Sequence, residues 1–388
     1  MKLKHGVHLA YCTNIHRGET WSETFENLRR FTLAVRERVA PQEAYAIGLR
    51  LGAQAARELN HPGTLTAFQR WLDQHQCYVF TINGFPYGQF HGTRVKEQVY
   101  TPDWTRVERL DYTCLLFDLL AQLVPEGIQG SVSTVPVSFK EFLKEPREET
   151  VARTHLWRCV DHLEKLARAT GKRLHLGLEP EPLCYLETTS ETVAFFDRMQ
   201  KDRPGDMRLR EHLGVNYDCC HLAVEYETAG QSLGALKSAG ILLSKIHLSS
   251  ALRVHPTPQA RQALHAFADD TYFHQVIARL PDGSLERYRD LDKALARHNH
   301  LPPSIHEEWR IHFHVPLHQP PGELFSTTAD HVLDTLNWLR DHPGACSHLE
   351  METYTWEVMP AEMKNRSVVD QLVGEYDWCL GQLRARGF

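Results

Sequence analysis

The feature that most constrains this chain is an alternation along its whole length of short β-type runs with amphipathic helical stretches, the pattern of parallel strands covered by helices. Nine such runs end near Asn14, Leu51, Asn83, Val135, Glu179, Asp218, His247, His314 and Glu352. The helices between them carry their own boundary signals. Thr20 with Glu23 and Thr188 with Glu191 form capping boxes. The stretch Val151 to Ala169 places Leu156, Val160, Leu163 and Ala167 on one face and stops at Gly171, and the helix His331 to Arg340 ends at Pro343-Gly344. Eight βα units close a (β/α)8 barrel, the TIM-barrel fold of the α/β class, and 388 residues fit that fold as a single domain spanning 1–388.

The ninth run is surplus. Between His247 and Glu352 lie 105 positions, far more than one βα unit, and Pro281-Asp282-Gly283-Ser284 reads as a turn joining Phe273–Ile277 to Leu285–Tyr288. An inserted hairpin and helix is expected at roughly 255–305, between the late strands.

Composition narrows the partner. With 49 acidic and 43 basic side chains the net charge is -6, which argues against a chain built to coat nucleic acid or an anionic membrane. The best apolar run, Leu115 to Val124, is broken by Asp118 and falls short of the ~20 residues of a membrane span. The first residues lack the apolar core of a signal peptide, and nine cysteines, an odd number, fit a reducing compartment. These features predict a cytoplasmic protein acting on a small molecule, with its oligomeric state left open.

In an α/β barrel the chemistry lies where strands finish, and here the terminal residues are metal-ligand types. Glu179 and Glu181 end the fifth run, Asp218 the sixth (Tyr-Asp-Cys-Cys-His221), His247 the seventh, and Glu350 and Glu352 the last. Asp218 follows Glu179 by 39 residues and His247 follows Asp218 by 29, about one βα unit each. Three carboxylates and one imidazole suit one hard or borderline divalent ion: Mn²⁺, Mg²⁺, Co²⁺ or Zn²⁺. Strand alternation puts Glu350 and Glu352 on the same side; Glu352, nearer the strand end, is the expected ligand, with Glu350 and Glu181 as alternates.

The order Leu-Glu179-Pro, Asp218-x-x-His221, His247 with Arg253 six residues on, and Met-Glu352-Thr resembles the xylose-isomerase-like TIM barrels, a superfamily of sugar isomerases, ketose 3-epimerases, inosose dehydratases and apurinic-site endonucleases. The runs Tyr11 to His16, Thr81 to Gly88 and Arg94 to Tyr100 resemble, more narrowly, its branch of EboE-type metabolite-traffic proteins. The resemblance implies Glu179, Asp218, His247 and Glu352 as metal ligands, His221 and Arg253 directed at substrate oxygens, and Glu179 and Glu352 as the catalytic acid/base pair. The implied reaction is an isomerisation or epimerisation of a small polyhydroxylated sugar or cyclitol by proton transfer through an enediolate. The acidic composition disfavours the endonuclease branch.

Further pocket residues follow from loop positions. Asn83-Gly-Phe-Pro-Tyr-Gly-Gln-Phe-His91-Gly is a glycine-punctuated aromatic loop, so Phe85 and Tyr87 are expected at the substrate, together with His16 after the first strand and His314. Two rival readings stand beside the isomerase. His312-Phe-His314 has the His-x-His spacing of amidohydrolase-type metal-dependent hydrolases, although their pair sits on the first barrel strand. A noncatalytic metabolite-binding protein on the same barrel is the other.

Overall fold

Seven strands follow one another along the chain before the pattern changes: β1 (His8–Tyr11), β2 (Tyr45–Arg50), β3 (Cys77–Asn83), β4 (Gly130–Thr134), β5 (Leu174–Leu178), β6 (Leu213–Asp218) and β7 (Leu242–Leu248). Five short strands then intervene: β8 (Leu252–Val254), β9 (Val276–Arg279), β10 (Leu285–Tyr288), β11 (Glu308–Ile311) and β12 (Phe325–Thr327). The last, β13 (His348–Met351), returns to the first seven. The computed structural model describes residues 1–89, 95–268, 271–298, 307–355 and 366–388.

The first seven strands and β13 form one eight-stranded sheet in the order β1-β13-β7-β6-β5-β4-β3-β2, with every ladder parallel. Its two edges meet at a parallel bridge between Cys12 and Gly48, which brings the sheet round into a (β/α)8 TIM barrel. Nearly every residue of these strands is buried, as expected where helices cover one face and the lumen the other. The eighth barrel strand is β13, so Glu352, immediately after it, stands at its carboxyl end and His314 does not.

The helix signals act where the sequence places them. Thr20 and Glu23 cap Trp21–Asn27, and Thr188 and Glu191 cap Thr189–Asp202. The helix ending at Gly171, whose φ of 71° suits glycine, begins at Pro146 rather than Val151, because Glu145 and Glu148 form a capping box ahead of a proline at the first helical position.

The insertion is larger than the sequence suggested. Its strands form an antiparallel sheet in the order β10-β9-β11-β8-β12, drawing in residues 252 to 327. The expected hairpin is β9 with β10, but β8 pairs with both β11 and β12 and so extends the unit beyond 255–305 on each side. Residues 269–270 and 299–306 of the stretch 252–327 lie outside the described residues. The sheet has its own apolar core of Leu252, Val254, Leu264, Phe267, Val276, Trp309, Ile311 and Phe313. It is anchored on the barrel rim. Arg287 pairs with Glu225 at 2.6 Å and Glu187 at 3.2 Å, and the Tyr226 hydroxyl donates to Glu308 O at 2.6 Å.

Candidate active site

At the carboxyl ends of β5, β6, β7 and β13 four side chains close on one point. Glu179, Asp218, His247 and Glu352 each present a donor atom within 4.8 Å of the others, and all four are buried. His247 Nδ1 is the centre of the group: Glu179 Oε1 lies 3.1 Å away, Glu352 Oε2 3.2 Å and Asp218 Oδ2 3.3 Å. One N–H cannot serve three carboxylates. Metal bonds of about 2.0–2.2 Å in tetrahedral or octahedral geometry set neighbouring donors roughly 3.0–3.5 Å apart, the spacing found here. Glu179 Oε2 is also buried without a hydrogen-bond partner, as is Asp218 Oδ2 apart from its ion-pair contact with His247. The donor set fits a divalent cation.

The other face of the imidazole is fixed by Glu350. Its Oε2 lies 2.9 Å from His247 Nε2, so this ring nitrogen donates and Nδ1 is left facing the three carboxylates. Glu350 is held in turn by Lys245 Nζ at 2.6 Å, and that ammonium also reaches Ser133 Oγ at 3.1 Å. Both glutamates of Leu-Glu-Met-Glu thus turn toward His247, one onto each ring nitrogen. Burial opposes charge throughout, yet Glu352 and Glu179 hold His247 well above the usual histidine range. Burial also works against the Glu350 anion, but Lys245 and His247 bring its carboxyl down to about 2. Gly48 makes room for this pair, since a Cβ there would stand 2.0 Å from Glu350 Oε1 and 2.7 Å from Tyr11 O.

Neighbouring amides orient the remaining donors. Asn14 Nδ2 and Asn83 Nδ2 both donate to Glu352 Oε1, at 2.8 and 3.1 Å. Ser249 Oγ and the His221 backbone N–H donate to Asp218 Oδ1 at 2.7 and 3.0 Å. Glu181 turns away from the four-residue group, as its Oε1 accepts from the Tyr100 hydroxyl at 2.7 Å. Burial pushes the Glu181 carboxyl up to about 8 against that hydrogen bond, and Glu179 adds to the rise.

Above the group opens a cavity of about 60 Å³ bordered by Glu179, Glu352, Glu181, His221, His312 and, from the loop after β3, Phe85. Tyr100, Tyr272, Phe273 and Tyr354 complete an aromatic roof, to which the insertion contributes Tyr272, Phe273 and His312. His314 lies directly behind His312, with its Nδ1 3.7 Å from Glu352 Oε2.

Three residues expected at the substrate lie elsewhere. Arg253 falls on β8, where the chain has already entered the second sheet, and its guanidinium pairs with Asp330. His16 stacks on Phe31 at 4.6 Å and bonds the Tyr11 hydroxyl at 3.0 Å, sealed under the first helix. Tyr87 packs edge-on against Tyr112 at 5.0 Å, outside the cavity. His91 and Arg94 lie outside the described residues. The pair His312 and His314 follows β11 in the inserted sheet and occupies no barrel strand, so it lacks the first-strand placement of the amidohydrolase arrangement.

Sequence reasoning missed Lys245, Tyr100 and Gln275. Lys245 had a signal, because it stands two residues before His247 and alternation turns it into the lumen with it. Tyr100, which ends the short 3-10 helix Lys96–Tyr100, and Gln275, just before β9, reach Glu181 from far away in sequence, and nothing local marks them.

Among the described residues no helix is long and apolar enough to cross a membrane. No protein-family model matches the chain. No curated protein matches it. Solved structures do. A xylose isomerase-like TIM-barrel protein from Mycobacterium smegmatis, in complex with magnesium, aligns over 100% of this chain and 99% of its own with a TM-score of 0.53 and 13% identity. The IolI protein with a bound zinc atom aligns over 97% of this chain and 98% of its own, with a TM-score of 0.50 and 12% identity. At such identities the likeness is one of architecture, and the architecture it supports for this chain is the (β/α)8 TIM barrel.

Proposed function

We propose that this chain is a divalent-metal-dependent isomerase or epimerase of a small polyhydroxylated carbonyl compound, a sugar or cyclitol, working by proton transfer through an enediolate. The observation that carries the reading is the pair Glu179 and Glu352. They come from strands on either side of β6 and β7, border the same cavity, and flank the same imidazole nitrogen. Glu179, Asp218, His247 and Glu352 would hold Mn²⁺, Mg²⁺, Co²⁺ or Zn²⁺. When bound, the ion supplies positive charge that stabilises a developing enediolate.

The protein's own groups divide the remaining work. Glu352 is fixed by two amide donors, which hold one oxygen in place. Glu179 keeps a buried oxygen without a partner, Oε2, and this is the atom available to take a proton from carbon. For an isomerisation Glu179 would return that proton to the neighbouring carbon; for an epimerisation Glu352 would enter protonated and deliver its proton from its own side of the cavity, leaving Glu179 with the one it took. The aromatic roof of Phe85, Tyr100 and Tyr354 keeps bulk water from the intermediate. The resemblance of the runs Tyr11 to His16, Thr81 to Gly88 and Arg94 to Tyr100 to EboE-type proteins supports a role for this chemistry in metabolite traffic.

The test is solvent-deuterium exchange into a panel of ketoses and cyclitol ketones, with metal content measured in the same samples. Exchange by the metal-loaded wild type, abolished by a chelator and by Glu179→Gln or Glu352→Gln, is expected. Wild-type exchange in both variants would sink the assignment. Loss of metal binding in the wild type would leave a noncatalytic binding protein as the better reading.

A further inference from the structure

The cavity over the carboxylate centre has two unlike ends. At the deep end, the buried side-chain oxygens that border it and lack a hydrogen-bond partner are Glu179 Oε2 and Asn14 Oδ1. Further out the wall changes character, and Phe85, Val95, Val99, Tyr272, Phe273 and Tyr354 enclose the space. These side chains come from three separate parts of the chain: the segment between β3 and β4, the insertion, and the segment after β13. Their rings do not form one flat platform. Tyr272 and Tyr354 meet edge to face at 5.3 Å and 75°, and Phe85 stands at 65° to Tyr100, 6.0 Å away.

Three kinds of substituent can extend outward from the reacting oxygens of a ligand, and each makes a different demand. A phosphate or carboxylate needs a free cation. Lys96 is the one lysine or arginine among the described residues bordering the cavity, and its Nζ lies 2.5 Å from Asp290 Oδ2, with both side chains buried. A hydroxylated chain needs a partner for every hydroxyl that loses its water. The polar groups nearest the rings are already engaged: the Tyr100 hydroxyl with Glu181 Oε1 at 2.7 Å, His312 Nδ1 with Gln275 Oε1 at 2.8 Å, and His312 Nε2 with His221 Nε2 at 3.1 Å. The Tyr354 hydroxyl lies 3.5 Å from the same His312 Nε2. An apolar ring needs neither cation nor hydrogen-bond partner. Side-chain rings set nearly at right angles offer it both faces and edges, the contacts aromatic groups prefer.

We infer that the substrate of this site is an oxygenated α-hydroxyketone head joined to an apolar, aromatic substituent. The inference rests on the proton-transfer reading for the reacting end, the carbonyl and its neighbouring hydroxyls beside Glu179 and Glu352, and adds what lies beyond them. Charge agrees with it. Glu179, Glu181 and Glu352 all border the cavity, so a phosphorylated sugar would bring its own negative charge against carboxylates while the Lys96 ammonium is held by Asp290. The Arg253 guanidinium, which would suit an anionic end, is turned away to Asp330. An aromatic substituent brings no charge and releases water from the ring-lined wall when it enters. The aromatic roof thus selects the substituent as well as keeping bulk water out.

The experiment compares two α-hydroxyketones that differ in one substituent: dihydroxyacetone, and 2-hydroxyacetophenone, in which a phenyl ring replaces one hydroxymethyl group. Affinity for the full chain loaded with Mn²⁺ or Zn²⁺ is measured by isothermal titration. Deuterium entry from solvent into each probe, relative to its rate in buffer, is followed in the same samples. The aryl probe is expected to bind about tenfold or more tightly. Phe85→Ser should cut that preference several-fold, and so should Val99→Asn, at a half-buried position where the fold tolerates a polar side chain. Equal affinities, a preference for dihydroxyacetone, or no binding of the aryl probe overturns the inference, and so does a preference unchanged in both folded variants. Preferred binding of the aryl probe with no deuterium entering either compound overturns the isomerase reading and leaves the substituent standing. Deuterium entry into dihydroxyacetone, with the aryl probe bound no better, does the reverse.

Discussion

The barrel lumen holds histidines at two levels, and the two behave in opposite ways. Near its amino-terminal end His8, His175 and His348 are buried beside one another, with His175 and His348 ring centroids 5.3 Å apart. Each has a hydroxyl for a partner: Tyr78 for His8, Ser244 for His175 and Ser131 for His348, at 2.7, 2.7 and 2.8 Å. At the carboxyl-terminal end His247 has four carboxylates around it. Burial pushes His175 down to about 3 and His8 down to about 4, whereas the carboxylates hold His247 well above the ordinary value. A hydroxyl can donate or accept and satisfies a neutral ring. A ring of carboxylates demands positive charge. The partner set, not the residue type, separates a packing histidine from a site histidine, and this is why 24 histidines in the sequence said little by themselves.

The sharpest way to break the comparison is to exchange partners at the upper level. His247→Asn should lower metal affinity at the carboxylate centre by more than the ~10–100-fold that loss of an outer partner costs, and Glu350→Gln should fall within that range. Isothermal titration with Mn²⁺ or Zn²⁺ checks both. Equal affinities in wild type and Glu350→Gln would show that the imidazole does not need Glu350 to orient it.

Gly48→Ala attacks the same contact from β2. The new methyl would meet both a carboxylate oxygen and the Tyr11 carbonyl, and backbone cannot move aside as a flexible side chain does. A stability loss of about 1–3 kcal/mol by urea unfolding is expected from overpacking, with a fall in metal affinity in the direction of Glu350→Gln. A stability loss with metal affinity unchanged would separate packing from ligand orientation.

The lower level is tested by pH. A buried histidine with a lowered pKa binds its proton more readily in the unfolded chain, so its neutral form stabilises the fold above about pH 6.5 and that contribution is lost as pH falls toward the folded value of about 3 for His175. Each such group adds about 1.4 kcal/mol per pH unit to the slope within that window. His175→Asn should reduce the slope by about one proton between pH 6 and pH 4, measured by urea unfolding in chelator so that metal release does not contribute. An unchanged slope would mean that His175 is already protonated in the folded chain.

What the sequence disclosed and withheld follows the same division between local and long-range causes. Strand periodicity, capping boxes and the rule that barrel chemistry sits at strand ends are local, and they led directly to Glu179, Asp218, His247 and Glu352. Partners were not legible. The Tyr100 bond to Glu181 spans 81 residues and the Gln275 bond to His312 spans 37. The extent of the insertion was hidden because β8 and β12 are three-residue strands with no periodicity to detect. His16 had the right position for a pocket residue, but Phe31 and Tyr11 claim its ring from a helix and strand whose packing no local pattern records.

Arg253 marks the smallest expected effect and the place where motif spacing and structure part. Six residues after His247 a guanidinium would reach substrate if the chain climbed over the barrel mouth. Here β8 begins at Leu252, and its pairing with β11 and β12 carries Arg253 to the outer sheet, where it meets Asp330, whose side chain is 63% exposed. An ion pair of that kind contributes about 0–1 kcal/mol, because water and salt screen it and two long side chains lose freedom to form it. Arg253→Ala should therefore change unfolding free energy by no more than about 1 kcal/mol and leave both deuterium exchange and metal stoichiometry at wild-type values. A large fall in kcat/KM with an unchanged Tm would return the guanidinium to the substrate. It would also mean that the inserted sheet moves against the barrel when the cavity is filled, since β8 cannot deliver Arg253 to the cavity while paired on both edges.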